Sequence, residues 1–160
     1  MPLEEIFVGG LKGVDLSALR GMKLTSIGFT ATGCANLRFL ADAPLKYLQA
    51  ENDRISDLSP LRGKPLERVI LSGNDLTDLS PLRGAPIIDL LINGNSGIKD
   101  LTPLLDLPKL EKLRLSRLGK LLEPLRHHPS LKFIAYDDEL YRPAAEFWAD
   151  YDAQQQAGEK

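Results

Sequence analysis

Asp57-Leu58-Ser59-Pro60-Leu61-Arg62-Gly63 recurs residue for residue as Asp78-Leu79-Ser80-Pro81-Leu82-Arg83-Gly84, 21 positions later. Looser copies flank the pair: Asp15-Leu16-Ser17-Ala18-Leu19-Arg20-Gly21 upstream and Asp100-Leu101-Thr102-Pro103-Leu104 downstream. A fixed period of about 20–29 residues signals a stack of like units. Working outward, the first apolar residue of each unit is Leu3, Leu24, Leu45, Leu66, Ile87, Leu110 and Leu131. The spacing is 21 residues throughout, except for 23 between Ile87 and Leu110. Seven units therefore run almost from end to end.

Within a unit, apolar residues recur three and then two positions after this anchor. The fourth unit reads Leu66, Val69, Leu71, Asn74, Leu76, and the fifth reads Ile87, Leu90, Ile92, Asn95, with Ile98 one place late because Gly97 is extra. The third reads Leu45, Leu48, Ala50, Asp53, Ile55. This is the pattern L-x-x-L-x-L-x-x-N-x-L of leucine-rich repeats. The period-two pair, such as Val69 and Leu71, points two side chains to one face of a short strand. Asn74 and Asn95 are placed to bond backbone groups where the chain turns. The Pro of Ser-Pro-Leu fixes φ for a tight helical turn with Asp or Ser as its cap. A second Pro, at positions 44, 65, 86, 108 and 129, marks the entrance of each following strand. One unit cannot bury its own apolar residues. Stacked units bury a continuous ribbon of them, at about 1.5–3 kcal/mol for each large side chain fully buried.

The short unit with Asp-Leu-Ser-Pro-Leu resembles the repeats of internalin-type bacterial proteins. The Pro143-Ala144-Ala145-Glu146-Phe147-Trp148 and Tyr151-Asp152 ending resembles repeat segments of planctomycete-like proteins, some of which carry a Ser/Thr kinase. The resemblance implies parallel strands on a concave side, short 3₁₀ turns on a convex side, and a binding role. It leaves a second reading open, a regulatory or sensing segment associated with a signalling enzyme such as a bacterial Ser/Thr kinase. The sequence holds no kinase motif of its own: there is no Gly-rich phosphate loop, His-Arg-Asp or Asp-Phe-Gly.

The expected architecture is an α/β leucine-rich-repeat solenoid over residues 1–141, with seven parallel-strand units and 3₁₀ or irregular convex turns. A capping helix is expected over 142–153 and a disordered tail over 154–160. Pro143 opens the helix, and Ala144, Phe147, Trp148 and Tyr151 form one apolar stripe. The N-terminus has no equivalent. Leu3, Ile6, Val8, Leu16 and Leu19 face the open end of the stack, so either a preceding segment covers them or this end packs on another molecule, with self-association one form of that.

Composition excludes several function classes. Twenty basic and 22 acidic residues, a net charge of −2, carry no electrostatic footprint for nucleic acid. No apolar run approaches the 18 or so residues that span a bilayer. Met1-Pro2-Leu3-Glu4-Glu5 shows no signal peptide, which places the expectation in the cytoplasm. The single cysteine, Cys34, sits in the register of Leu76 and is read as a buried structural thiol, with a nucleophile as the alternative.

Two units depart from the pattern. The second, Leu24 to Ala43, lacks Ser-Pro-Leu and is expected to carry a slightly longer helical turn. The sixth puts Leu118 where Asn stands in the fourth and fifth. Candidate chemistry is sparse. His127-His128 is read as a solvated convex loop before Pro129, with metal ligation as the alternative. Asp137-Asp138-Glu139 is a solvated turn lacking the spacing of a Ca²⁺ loop. Ser59, Ser80 and Thr102 recur with the period, so they are caps and not nucleophiles. No catalytic group, metal set or cofactor is expected, and the chain is read as a non-enzyme.

The concave face says more. Strand side chains alternate, so residues two and four after each anchor point outward. The first row is Glu5, Ser26, Tyr47, Arg68, Asp89, Lys112, Phe133. The second is Phe7, Gly28, Gln49, Ile70, Leu91, Arg114, Ala135. Tyr47, Arg68, Ile70, Asp89, Leu91, Lys112 and Arg114 combine aromatic, Arg and apolar character in neighbouring strands, the mixture that carries most interface energy. They are the expected binding site for a protein or peptide.

Overall fold

The computed structural model describes residues 3–158. Residues 1, 2, 159 and 160, expected at the start of the solenoid and the end of the tail, lie outside the described residues. Seven strands follow one another in one sheet: β1 (Glu5–Gly9), β2 (Ser26–Thr30), β3 (Tyr47–Glu51), β4 (Arg68–Ile70), β5 (Asp89–Leu91), β6 (Lys112–Leu115) and β7 (Phe133–Tyr136). Each is parallel to its neighbour. An eighth strand, β8 (Arg142–Pro143), was not expected. It turns back antiparallel onto β7, with Arg142 opposite Ile134. Helix α1 (Ala144–Gly158) follows, so the helix continues through 154–158, where the sequence suggested a disordered tail.

The convex side consists of 3₁₀ turns at Leu16–Leu19, Arg38–Leu40, Ser59–Leu61, Ser80–Leu82, Thr102–Asp106 and Gly119–His127. The recurring Asp starts four of them. Asp15, Asp57, Asp78 and Asp100 each accept the amide N–H two residues on, at 2.8 Å. These bonds from Ser or Thr hydroxyls and amides hold all four carboxyls below the ordinary carboxylate range. The second unit's turn is only three residues, no longer than the others. The long one belongs to the sixth unit, with nine residues from Gly119 to His127.

The anchor and the position three residues after it repeat as buried side chains from the second to the sixth unit. Leu24, Leu45, Leu66, Ile87 and Leu110 are fully buried, as are Leu48, Val69, Leu90 and Leu113. At the C-terminal end, Tyr136, Phe147, Trp148 and Tyr151 close the ribbon, with successive ring centroids 4.9, 5.3 and 5.3 Å apart. Arg126 lies 4.7 Å over the Trp148 ring and donates two bonds, at 3.1 and 2.7 Å, to Asp152. A buried cation sits on the convex side: Lys64 Nζ donates to the carbonyls of Ala41 and Ala43 at 2.8 and 2.7 Å, and burial lowers its pKa.

The turn after each strand sets the pitch. Asn74 Oδ1 accepts the N–H groups of Asp53 and Ile55 in the preceding unit, while its Nδ2 donates to the carbonyls of Ala50 and Leu71. Asn95 repeats this one unit on, with Leu76 N–H and the carbonyls of Leu71 and Ile92. The chain here takes a left-handed conformation at Gly73 and Gly94, and at Asn52 and Ala31 one and two units earlier. Gly94 has a steric reason as well, because a Cβ there would lie 2.9 Å from Gly73 N.

The third unit has Asp53 where Asn is expected. Asp53 Oδ1 keeps the acceptor role, taking Thr32 N–H at 2.7 Å, Gly33 N–H at 2.6 Å and the Thr32 hydroxyl at 2.9 Å. Its Oδ2 stands in the place of the Asn74 Nδ2, cannot donate to the carbonyls, and is buried without a partner. Leaving a buried polar atom unpaired costs about 1–3 kcal/mol. Asp53→Asn is therefore expected to stabilise the fold by an amount in that range, raising the midpoint of urea denaturation; a lower midpoint would refute the reading. Leu71→Ala removes a fully buried side chain with units on both sides. It should cost about 2–5 kcal/mol. Ser72→Ala, beside it on the outward face, should cost little in the same assay.

Candidate binding surface

The two outward rows read from sequence are the observed cross-strand neighbours. Tyr47 pairs with Ser26 and Arg68, Asp89 with Arg68 and Lys112, and Leu91 with Ile70 and Arg114. The seven expected site residues thus lie together on four adjacent strands, β3 to β6. They are not equally accessible.

Tyr47, Arg68 and Lys112 are open or partly open to solvent, and Leu91 is half-buried. Arg68 pairs with Asp89 at 3.2 Å and lies 5.9 Å from the Tyr47 ring centre. Tyr47 donates its hydroxyl to Gln49 Oε1 at 3.0 Å, and Gln49 donates to Glu51 at 2.6 Å. Ile70, expected at the apolar centre, is buried at 7% exposure. It lies outside the inward core cluster, in keeping with its outward register, yet it is enclosed and not open to a partner.

At the other end of the face a segment following β7 occupies the sheet. Tyr141 donates its hydroxyl to Asp89 Oδ1 at 3.2 Å, and its ring lies 4.8 Å from the Arg114 guanidinium. Arg114 also donates to the Glu139 carbonyl at 3.2 Å. Glu139 itself is held by Arg117 and Arg142. Asp89 and Arg114 are therefore already engaged within the chain. Burial, followed by the charge of Asp89, pushes the Tyr141 phenol up to about 12. Nothing periodic announces this segment, and the sequence reading passed over it.

Phe7 is the other residue that reading left out of the patch. It is 61% exposed, and its ring lies across Gly28, where a Cβ would come within 2.3 Å of Phe7 Cδ1. The Phe7 and Tyr47 rings are 5.9 Å apart. The signal was the glycine itself, a gap in the second row with an aromatic residue beside it.

The remaining candidates resolve structurally. His128 is buried at 7% exposure, with Nε2 3.0 Å from the Leu104 carbonyl, and is no solvated loop residue. Cys34 is half-buried, less enclosed than expected, and burial raises its pKa, away from thiolate reactivity. Asp137 accepts the Ser116 hydroxyl at 3.0 Å. Among the described residues no group of three His, Cys, Asp or Glu side chains is placed to hold a metal ion, and no helix is long and apolar enough to cross a membrane.

No family model matches the sequence, and no curated protein matches it significantly. Among solved structures, internalin C2 from Listeria monocytogenes is similar, with a TM-score of 0.58 at 27% sequence identity. The chain has a leucine-rich-repeat fold. The match covers 82% of this chain and spans 64% of the length of the internalin chain. It agrees with the repeat solenoid described above.

The phenol of Tyr141 generates a pH prediction. Its folded pKa lies above that of free tyrosine, so its contribution is complete below about pH 10 and is lost as pH rises toward 12. Ultraviolet titration should show tyrosine ionisation extending to about pH 12, and Tyr141→Phe should remove that last step. An unchanged titration curve in Tyr141→Phe above pH 10, apart from the lost chromophore's ordinary share, would refute the contact.

Proposed function

We propose that this chain is a non-enzymatic protein-interaction module that holds a protein or peptide segment against the outward face of strands β2–β6. Tyr47, Arg68, Leu91 and Lys112 are its contact residues, with Gln49 at their edge. The reading is supported chiefly by one observation: an aromatic ring, a guanidinium and a half-buried Leu stand side by side on a rigid sheet, while the face beyond them is filled by Tyr141. Rigid presentation keeps the entropic cost of binding low. A clustered Tyr and Arg supply the truncation-sensitive contacts of an interface. Ile70 lies beneath this surface as its support, and Asp89 orients Arg68. The similarity to internalin C2 favours a bacterial protein of the same general class.

Affinity capture with the full chain as bait, followed by titration of the captured protein, tests the proposal. Tyr47→Ala and Arg68→Ala should each weaken binding about fivefold or more, corresponding to truncation costs above about 1 kcal/mol. Arg83→Asp on the convex side should leave it unchanged. Loss of binding in the convex variant alone would move the site to the other face.

A further inference from the structure

We propose, building on the reading of this face as a binding surface, that a notch between β1 and β3 takes a lysine or arginine side chain of the bound segment. The partner is then a basic peptide, or a protein that presents one. Two glycines open the notch. Gly28 on β2 lets the Phe7 ring lie low on the sheet, where a Cβ would come within 2.3 Å of it. Gly9, in register with Thr30, leaves open space, because a Cβ there would meet nothing within 4 Å. Beside the ring, among Phe7, Gly9, Thr30 and Gln49, lies a cavity of about 220 Å³. A glycine inside a strand marks a place where another chain can approach closely. The notch sits over paired strands, β1 with β2 and β2 with β3, and does not involve the far edge of β1.

Its two sides differ in kind. One is the Phe7 ring, 61% exposed, with no guanidinium over it among the described residues. The other is polar and ends in an acid. Thr30 stands opposite Glu51 of β3. Gln49 accepts the Tyr47 hydroxyl at 3.0 Å and donates its amide to Glu51 at 2.6 Å. This relay along one strand holds the Glu51 carboxylate beside the notch, partly buried. Among the described residues no cation lies within ion-pair distance of Glu51. Lys12 and Arg54 line a separate cavity past the strand ends. Elsewhere on the face Arg68 pairs with Asp89, and Arg114 is covered by Tyr141. Lys112 on β6 stands three strands from β3. The uncompensated charge at the notch is therefore negative.

A basic side chain suits both sides. Its methylene stem packs along the Phe7 ring while its head stays toward water and the acid. A cation within about 6 Å of a ring centre gains attraction from the ring as well. An acidic side chain would set like charge against Glu51. A large apolar one would desolvate the carboxylate without pairing it.

Nuclear magnetic resonance titration of the full isotope-labelled chain with the peptide acetyl-Gly-Ala-Lys-Ala-Gly-amide tests the proposal. That peptide and its Arg counterpart should shift the amide signals of Gly28, Thr30, Gln49 and Glu51, and the counterparts with Gln or Glu at the central position should not. Glu51→Gln removes the charge and keeps the bond from Gln49; it should weaken the Lys peptide at least about threefold. Gly9→Leu fills the notch where the backbone leaves room, and should abolish the shifts. Equal shifts from the Gln peptide, unchanged affinity in Glu51→Gln, or no shift at these four residues overturns the proposal. Titration of the captured protein separates this outcome from the broader reading. A partner that needs Tyr47 and Arg68 but is indifferent to Glu51→Gln and Gly9→Leu sinks the basic-residue notch and leaves the interaction module standing. Localised binding of the Lys peptide with no protein captured supports the notch and counts against the module.

Discussion

A chain that turns sharply after every strand buries backbone groups that no strand can pair. In the third, fourth and fifth units one side chain resolves this, and the middle of the stack depends on it. Asn74 and Asn95 each bond their own unit and the one before, through acceptor and donor together. A hydrogen-bonded carboxamide in a closed interior has both polarities and a fixed reach, so it fixes the distance between units as well as satisfying them. Asp53 shows what the arrangement requires by lacking half of it. Its acceptor oxygen performs the role in full, and the other oxygen has nothing to donate.

From that fixed spacing the surface follows. Equal positions fall into rows, so a binding face can be assembled from residues 21 positions apart in the chain. Tyr47 and Arg68 are one such pair, and Asp89, which orients Arg68, is the next in the row. The C-terminal segment then limits the face. Tyr141 uses the Asp89 carboxylate and the Arg114 guanidinium, the same kinds of groups that an incoming partner would engage. What remains available is the stretch toward the N-terminal strands, where Phe7 lies over Gly28.

The repeat made the fold legible, because a periodic sequence states its own register. Strand positions, the inward leucines, the Asp caps and both outward rows could be read from spacing alone. What escaped was whatever occurs once. Tyr141 lies beyond the last repeat, and no period relates it to Asp89, 52 residues earlier. His128 looked solvated from its neighbours, but a bond to Leu104 in the preceding unit takes it inside. Ile70 points outward as read, yet a direction does not give a depth, which depends on neighbours from other strands. Helix α1 continues past its apolar stripe, and hydrophobic spacing gives no stop signal for the polar turns beyond Tyr151.

The single aromatic closure at one end has a dynamic consequence. In a stack whose units touch only their neighbours, local opening is governed by the distance from a free end. Phe147, Trp148 and Tyr151 hold the last units shut, whereas Leu3, Ile6 and Val8 leave the first one loosely covered. Amide protons should therefore exchange in a gradient along the chain, fastest in β1 and slowest in β4 to β6.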